Sequence, residues 1–132
     1  MPKNTKFGAL YIVATPIGNL EDISKRGLMI LDKVQLCAAE NTKNSKKLFK
    51  KYNLSTPLVS YHKYSEESKL NFLISTLKSG EDVGLISDAG TPLISDPGYL
   101  LVNKALEEGI KVIPIPGPSS LIAALSVSGM PL

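Results

Sequence analysis

Short apolar runs alternate with amphipathic stretches along this chain. Leu10 to Ala14 (LYIVA) is rich in strand formers and predicts a buried strand, broken by Thr15-Pro16-Ile17-Gly18-Asn19-Leu20. Ser24 is placed to cap a helix from about Lys25 to Lys33, with Leu28, Ile30, Leu31 and Val34 as its apolar positions. Leu36 to Ala39 (LCAA) predicts a brief second strand, although alanine is a poor strand former. Thr42 or Asn44 is expected to cap a helix to Lys51, anchored by Leu48 and Phe49 and terminated at Asn53. Leu58 to Tyr61 gives a third strand after Pro57. A helix begins at Ser65, carries Glu66 and Glu67 in its first turn, and ends at Lys78-Ser79-Gly80. Its Leu70, Leu73, Ile74 and Leu77 repeat at helical spacing. Val83 to Ile86 is the fourth strand, Tyr99 to Glu108 a helix closed by Gly109, and Ile110 to Ile115 the fifth strand. Ser119 or Ser120 caps a last helix over LIAALSV, stopped by Gly129 and Pro131.

Five successive β–α units predict an α/β domain over residues 1–132, with a mostly parallel sheet covered by helices on both faces. Crossovers in such a sheet are right-handed. The order of the strands is not readable from the pattern. Ligands of open α/β sheets sit beyond the carboxyl ends of the strands. Three Gly/Pro-rich segments lie there: Thr15 to Leu20, Ser87 to Gly98 (SDAGTPLISDPG) and Pro116 to Ser120.

Composition narrows the chemistry. The single cysteine, Cys37, excludes a disulfide framework within the chain and a cysteine-based zinc site, and lies in an apolar strand as a buried thiol would. His62 is the only histidine, so no His-rich metal site is expected. The first apolar run is too short for a signal sequence, and no run approaches a membrane span, so the cytoplasm is the expected location. The net charge of +3 is unremarkable, but Lys43, Lys46, Lys47, Lys50 and Lys51 crowd residues 43–51 with no acidic residue among them. Four of these share a helical face, which suits either a polyanion such as RNA or a plain solvated surface.

The loops exclude two common phosphate binders. Pro116-Gly117-Pro118-Ser119-Ser120 lacks the Gly-Lys-Ser/Thr ending of a P-loop, and the Thr15 loop has one glycine where a dinucleotide fingerprint has three. Asp88 directly follows a strand and is placed to accept hydrogen bonds from ribose hydroxyls or an amino group, with Thr91 and Ser95 adding hydroxyls. Asp96 reads as a turn or helix cap before Tyr99.

Five segments occur in a distinctive order: LYIVATPIGNLEDIS (Leu10 to Ser24), AENTKNSKKL (Ala39 to Leu48), SYH (Ser60 to His62), LISDAGTPLISDPGYLLV (Leu85 to Val102) and VIPIPGPSSLIAALSVSGMP (Val112 to Pro131). Together they resemble the ribosomal small subunit methyltransferase I family, the 16S rRNA (cytidine-2'-O)-methyltransferases of the tetrapyrrole methylase superfamily. The resemblance implies an S-adenosylmethionine-dependent enzyme of two α/β domains with the cofactor between them, acting as a homodimer on 16S rRNA. This chain would then be the N-terminal domain, to be closed by a C-terminal one. The resemblance further implies that Pro16, Asp88, Ala89, Gly90, Thr91, Ile94, Ser119 and Ser120 face the cofactor, and that Thr42, Lys43, Lys46 and Lys47 lie on the RNA side. One departure stands out. The family pattern Glu-Asp-Thr-Arg-His-Thr reads Glu40-Asn41-Thr42-Lys43-Asn44-Ser45 here, losing a carboxylate and a forked donor.

Methyl transfer to a ribose hydroxyl needs alignment and a proton acceptor, and no metal. Glu40 and Asp88 are the candidates for that acceptor, with His62 behind them. Two other functions compete: a tetrapyrrole-precursor methyltransferase, and a non-catalytic RNA-binding module.

Overall fold

The computed structural model describes residues 6–93 and 98–131. Its strands β1 (Leu10–Val13), β2 (Leu36–Ala39), β3 (Leu58–Ser60), β4 (Val83–Ile86) and β5 (Val112–Ile115) form one sheet in the order β3-β2-β4-β1-β5. All four pairings are parallel. The helices are α1 (Lys25–Lys33), α2 (Thr42–Lys51), α3 (Glu66–Lys78), α4 (Tyr99–Glu107) and α5 (Ser120–Ser126). No helix among the described residues is long and apolar enough to cross a membrane.

The strand order sorts the helices. The chain moves one way across the sheet from β1 to β2 to β3, and back the other way from β3 to β4 to β5. Right-handed crossovers therefore put α1 and α2 on one face and α3 and α4 on the other. The two cores agree. Leu31 of α1 and Leu48 and Phe49 of α2 meet Val13, Cys37, Ala39, Ile86 and Ile115. On the opposite face, Leu73 and Leu77 of α3 and Leu101 and Ala105 of α4 meet Leu10, Ile12, Ala38, Val83 and Leu85. The alternation along each strand is that of a sheet buried on both sides. It also explains why LCAA is a strand: Cys37, Ala38 and Ala39 are fully buried between two layers of helices, and tertiary packing overrides the weak propensity of alanine.

Two expected features differ. The fifth strand starts at Val112 rather than Ile110. The Ile110 amide donates to Ala105 O at the end of α4, and its side chain is buried there, so it belongs to the helix terminus. The cap of α2 is neither Thr42 nor Asn44 but Asn41, whose side chain accepts from the amides of Lys43 (3.0 Å) and Asn44 (3.4 Å). Aspartate and asparagine serve this position about equally, so Asn41 keeps the cap while dropping the charge. Asn41→Ala is expected to cost about 1 kcal/mol in chemical denaturation, and Asn41→Asp only a few tenths. An alanine variant as stable as the parent would show the cap to be idle.

Ser24 caps α1 as expected, accepting from the Gly27 amide at 2.8 Å. Ser65 precedes α3 but turns its hydroxyl back to His62, leaving Glu66 and Glu67 to favour the helix start electrostatically. Pro114 is tolerated because β5 is an edge strand. At the far end of the molecule, Glu108 bridges Lys78 of α3 (2.6 Å) and Lys104 of α4 (3.2 Å). The bond to Lys78, then that to Lys104, holds its carboxyl below the ordinary carboxylate range.

Candidate functional site at the strand ends

The strand order places β4, β1 and β5 side by side, and these strands lead into the three Gly/Pro-rich loops. The connections leaving β1 and β4 pass to opposite faces, so a crevice opens between their carboxyl ends. That is the topological switch point at which open α/β sheets bind ligands.

Hydrogen bonds lace the loops together there. Thr15 and Gly90 form an antiparallel bridge, each amide donating to the other's carbonyl at 3.0 Å. The Thr15 hydroxyl donates to Ser87 O (3.3 Å), and the Ser87 hydroxyl to Ala89 O (3.2 Å). Thr91 donates to Pro118 O at 3.2 Å, joining the fourth-strand loop to the fifth. Gly90 has φ +77°, a backbone conformation that other residues rarely adopt. Gly117 lies so close to β1 that an added Cβ would sit 2.9 Å from Cβ of Ala14.

Between the first and fifth loops lies an open cleft of about 490 Å³, lined by Ile17, Asp22, Ile23, Ser24, Pro118 and Ser119 among others. A smaller recess of about 50 Å³ is walled by Thr15, Pro16, Asn44, Ser45, Ser87 and Asp88. Pro16 is buried and lines this recess rather than the larger cleft. Asp88 and Ala89 are exposed at the mouth, and Thr91 is half-buried. Ser119 caps α5 through a 3.4 Å bond from the Ile122 amide, while Ser120 is exposed. Ile94, Ser95 and Asp96 lie outside the described residues. Composition alone did not flag Thr15, Ser87, Asp22 or Ile23 as site residues. Their roles depend on contacts up to 75 residues apart in the chain, as for Thr15 and Gly90.

Neighbouring strands β2 and β4 bring Glu40 and Asp88 together. The Asp88 amide donates to Glu40 Oε2 at 3.5 Å. His62 follows β3 at the sheet edge. Its Nδ1 accepts from the Tyr64 amide at 3.2 Å, which leaves Nε2 carrying the proton in the neutral ring, a donor rather than an acceptor. Cys37 is fully buried, and burial pushes its thiol far above its usual range, so it is no nucleophile. Among the described residues, no three His, Cys, Asp or Glu side chains gather as a metal site.

Helix α2 starts just after Glu40. Its buried anchors Ser45, Leu48 and Phe49 force Lys43, Lys46, Lys47 and Lys50 outward, and all four are exposed. Among the described residues they form no ion pair, whereas Lys51 approaches Glu21 at 4.0 Å. Thr42 is half-buried at the start of this helix.

Comparison with known proteins fits this geometry. The chain is 55% identical over 124 residues to ribosomal RNA small subunit methyltransferase I of Pseudomonas aeruginosa, covering 94% of this chain and 44% of that protein. It is 48% identical to the protein of the same name from Escherichia coli O157:H7, covering 94% and 43%. The chain thus spans less than half the length of these curated relatives. Among solved structures, a cobalt precorrin-4 methyltransferase superposes with a TM-score of 0.73 at 19% identity, over 94% of this chain and 52% of that one. A uroporphyrin-III-C-methyltransferase from Thermus thermophilus gives 0.69 at 22% identity, over 95% and 54%. These structures share the fold. The sequence pattern of the tetrapyrrole (corrin/porphyrin) methylases matches residues 9–132, and the chain belongs to that family.

Proposed function

We propose that this chain is the N-terminal domain of an S-adenosylmethionine-dependent methyltransferase that acts on the ribose 2'-hydroxyl of a cytidine in 16S rRNA. The observation that carries the reading is the lacing of three loops around one switch-point crevice, beside a helix whose Lys43, Lys46, Lys47 and Lys50 are exposed and form no ion pair among the described residues. The names of the relatives support rRNA over a macrocycle. The cleft residues fit the cofactor: Ile17 and Ile23 offer apolar surface, Asp22 offers a carboxylate to a cationic ligand, and about 490 Å³ falls in the usual range for small-molecule sites, while Asp88 lines the separate small recess.

The bound cofactor would supply a methyl group activated by its sulfonium. The chain's own residues would orient and deprotonate the acceptor. Lysines 43, 46 and 47 would hold phosphates without reading bases. Glu40 and Asp88 present carboxylates at the ends of adjacent strands, where one accepts the 2'-hydroxyl proton and the other holds cofactor. His62, whose Nδ1 is already taken up by the Tyr64 amide, suits a substrate contact better than a base. Leu121 and Ile122 of α5 are 57% and 63% exposed, which supports a further covering surface from a C-terminal domain or a second copy in a homodimer.

The test uses the complete gene product. Labelled methyl transfer is expected to 30S subunits and not to a uroporphyrinogen-type macrocycle; the reverse preference would make the protein a tetrapyrrole enzyme. By calorimetry, Asp88→Ala should bind S-adenosylmethionine roughly 10- to 100-fold more weakly, as for a lost hydrogen bond to a charged group. Unchanged affinity with lost turnover would move Asp88 from cofactor holder to base. Wild-type protein that binds no cofactor would favour the non-catalytic module.

A further inference from the structure

The loop after β4 is tied to its neighbours at Thr15 and Pro118, and its far end is held from the opposite side of the sheet. Glu66, in the first turn of α3, accepts the amide of Gly98 through Oε1 at 2.8 Å. Gly98 precedes α4 with φ +132° and has no side chain with which to cap that helix. Its amide is one of the donors that a helix start leaves orphaned, and Glu66 satisfies it from another helix.

Gly98 is also a packing surface. A Cβ on it would lie 2.6 Å from Leu93 Cδ2 and 2.8 Å from Leu85 Cδ2, so Leu93 rests where only glycine leaves room. Leu93 itself has φ +81°, a conformation that leucine seldom adopts and that persists only when surroundings impose it. Beneath lies Tyr61, fully buried, whose hydroxyl finds no partner of full hydrogen-bond geometry among the described residues. Burial, and next the charge of Glu66, push that phenol far above its ordinary range, so it stays protonated beside the carboxylate. The carboxylate is thus held by the Gly98 amide, near a phenol that stays protonated.

We infer that Glu66 is a positioning residue for the cofactor loop: by holding Gly98 it sets the seat of Leu93, and through Leu93 the path of Ser87 to Pro92. The inference rests on the cofactor reading of that loop. Its chemistry asks for an acceptor oxygen at the end of a two-methylene side chain, not for a charge as such. Glu67, exposed in the same turn, supplies the same helix-end charge without reaching Gly98, and so serves as the control.

The test compares Glu66→Ala, Glu66→Gln and Glu67→Ala in the complete gene product, reading S-adenosylmethionine affinity by calorimetry and amide hydrogen exchange at Gly98. Glu66→Ala should raise Kd at least tenfold and speed exchange at Gly98 by a similar factor. Glu66→Gln should stay within about twofold of wild type in both, because its Oε1 still accepts. Glu67→Ala should change neither. If Glu66→Ala does not fold, Glu66→Asp takes its place, since the shorter side chain withdraws the oxygen from Gly98. Faster exchange with unchanged Kd would overturn the positioning role, as would a glutamine variant as weak as alanine. Wild-type protein that fails to bind the cofactor would instead overturn the cofactor reading, and the positioning role with it, before any variant is measured.

Discussion

Replacing Lys43, Lys46 and Lys47 together by glutamine is expected to weaken binding to small-subunit rRNA on the order of 100-fold at about 0.15 M salt. Each phosphate contact releases counterions and adds roughly 0.7 to 0.9 to the slope of log affinity against log salt, so three lost contacts flatten it by roughly 2 to 3. Glutamine keeps helix propensity and side-chain length, and the helix is anchored by Leu48 and Phe49 on its other face, so the fold should be indifferent. The measurement is a salt titration of binding, with a denaturation curve as control. A parallel slope in the variant would mean that the lysines only solvate the surface. Neighbouring like charges are mildly unfavourable in the free protein, so removing them should, if anything, raise its stability slightly.

The largest expected loss of stability comes from Leu85→Ala. Leu85 is 1% exposed, in the central strand β4, and packs in the core that α3 and α4 cover. Leucine-to-alanine changes in such sites cost about 2 to 5 kcal/mol, from lost burial plus the cavity left behind. The upper half of that range is expected, because rigid helices and strands on all sides limit collapse into the space. Leu106, 59% exposed on α4, should lose no more than about 0.5 kcal/mol as alanine. Denaturant midpoints at constant slope would check both. A cost below about 1 kcal/mol at Leu85 would show that the core relaxes around it.

Much of this architecture was legible in the chain, for physical reasons that differ between levels. Strands such as LYIV and VGLI announce themselves because burial on both faces demands unbroken apolar runs. Helix α3 is legible through Leu73, Ile74 and Leu77, which a period of 3.6 puts on one stripe. Caps were harder: Asn41, Thr42 and Asn44 are all competent, and only the turn of the backbone at Asn41 decides among them. The location of the site in the strand-end loops followed from fold class. Its wiring did not, because the Thr15–Gly90 bridge depends on β1 and β4 being neighbours, and strand order is a long-range property with no local signature. Glu66 was visible only as a charge suited to a helix start; its bond to Gly98, 32 residues on, is a matter of how α3 and α4 dock.

The same strand order has a consequence for how the protein is made. Strand β1 leaves the ribosome before the other four, yet its partners are Val83 to Leu85 on one side and Val112 to Ile115 on the other. Until β4 arrives, this apolar segment has both edges open, and β2 can pair only with the later β3. The sheet therefore cannot nucleate around its own centre until β4 has emerged, and the nascent chain carries an unpaired LYIV strand until then. A ribosome stalled shortly before β4 would display an aggregation-prone edge, and one stalled just after it would display a four-stranded sheet.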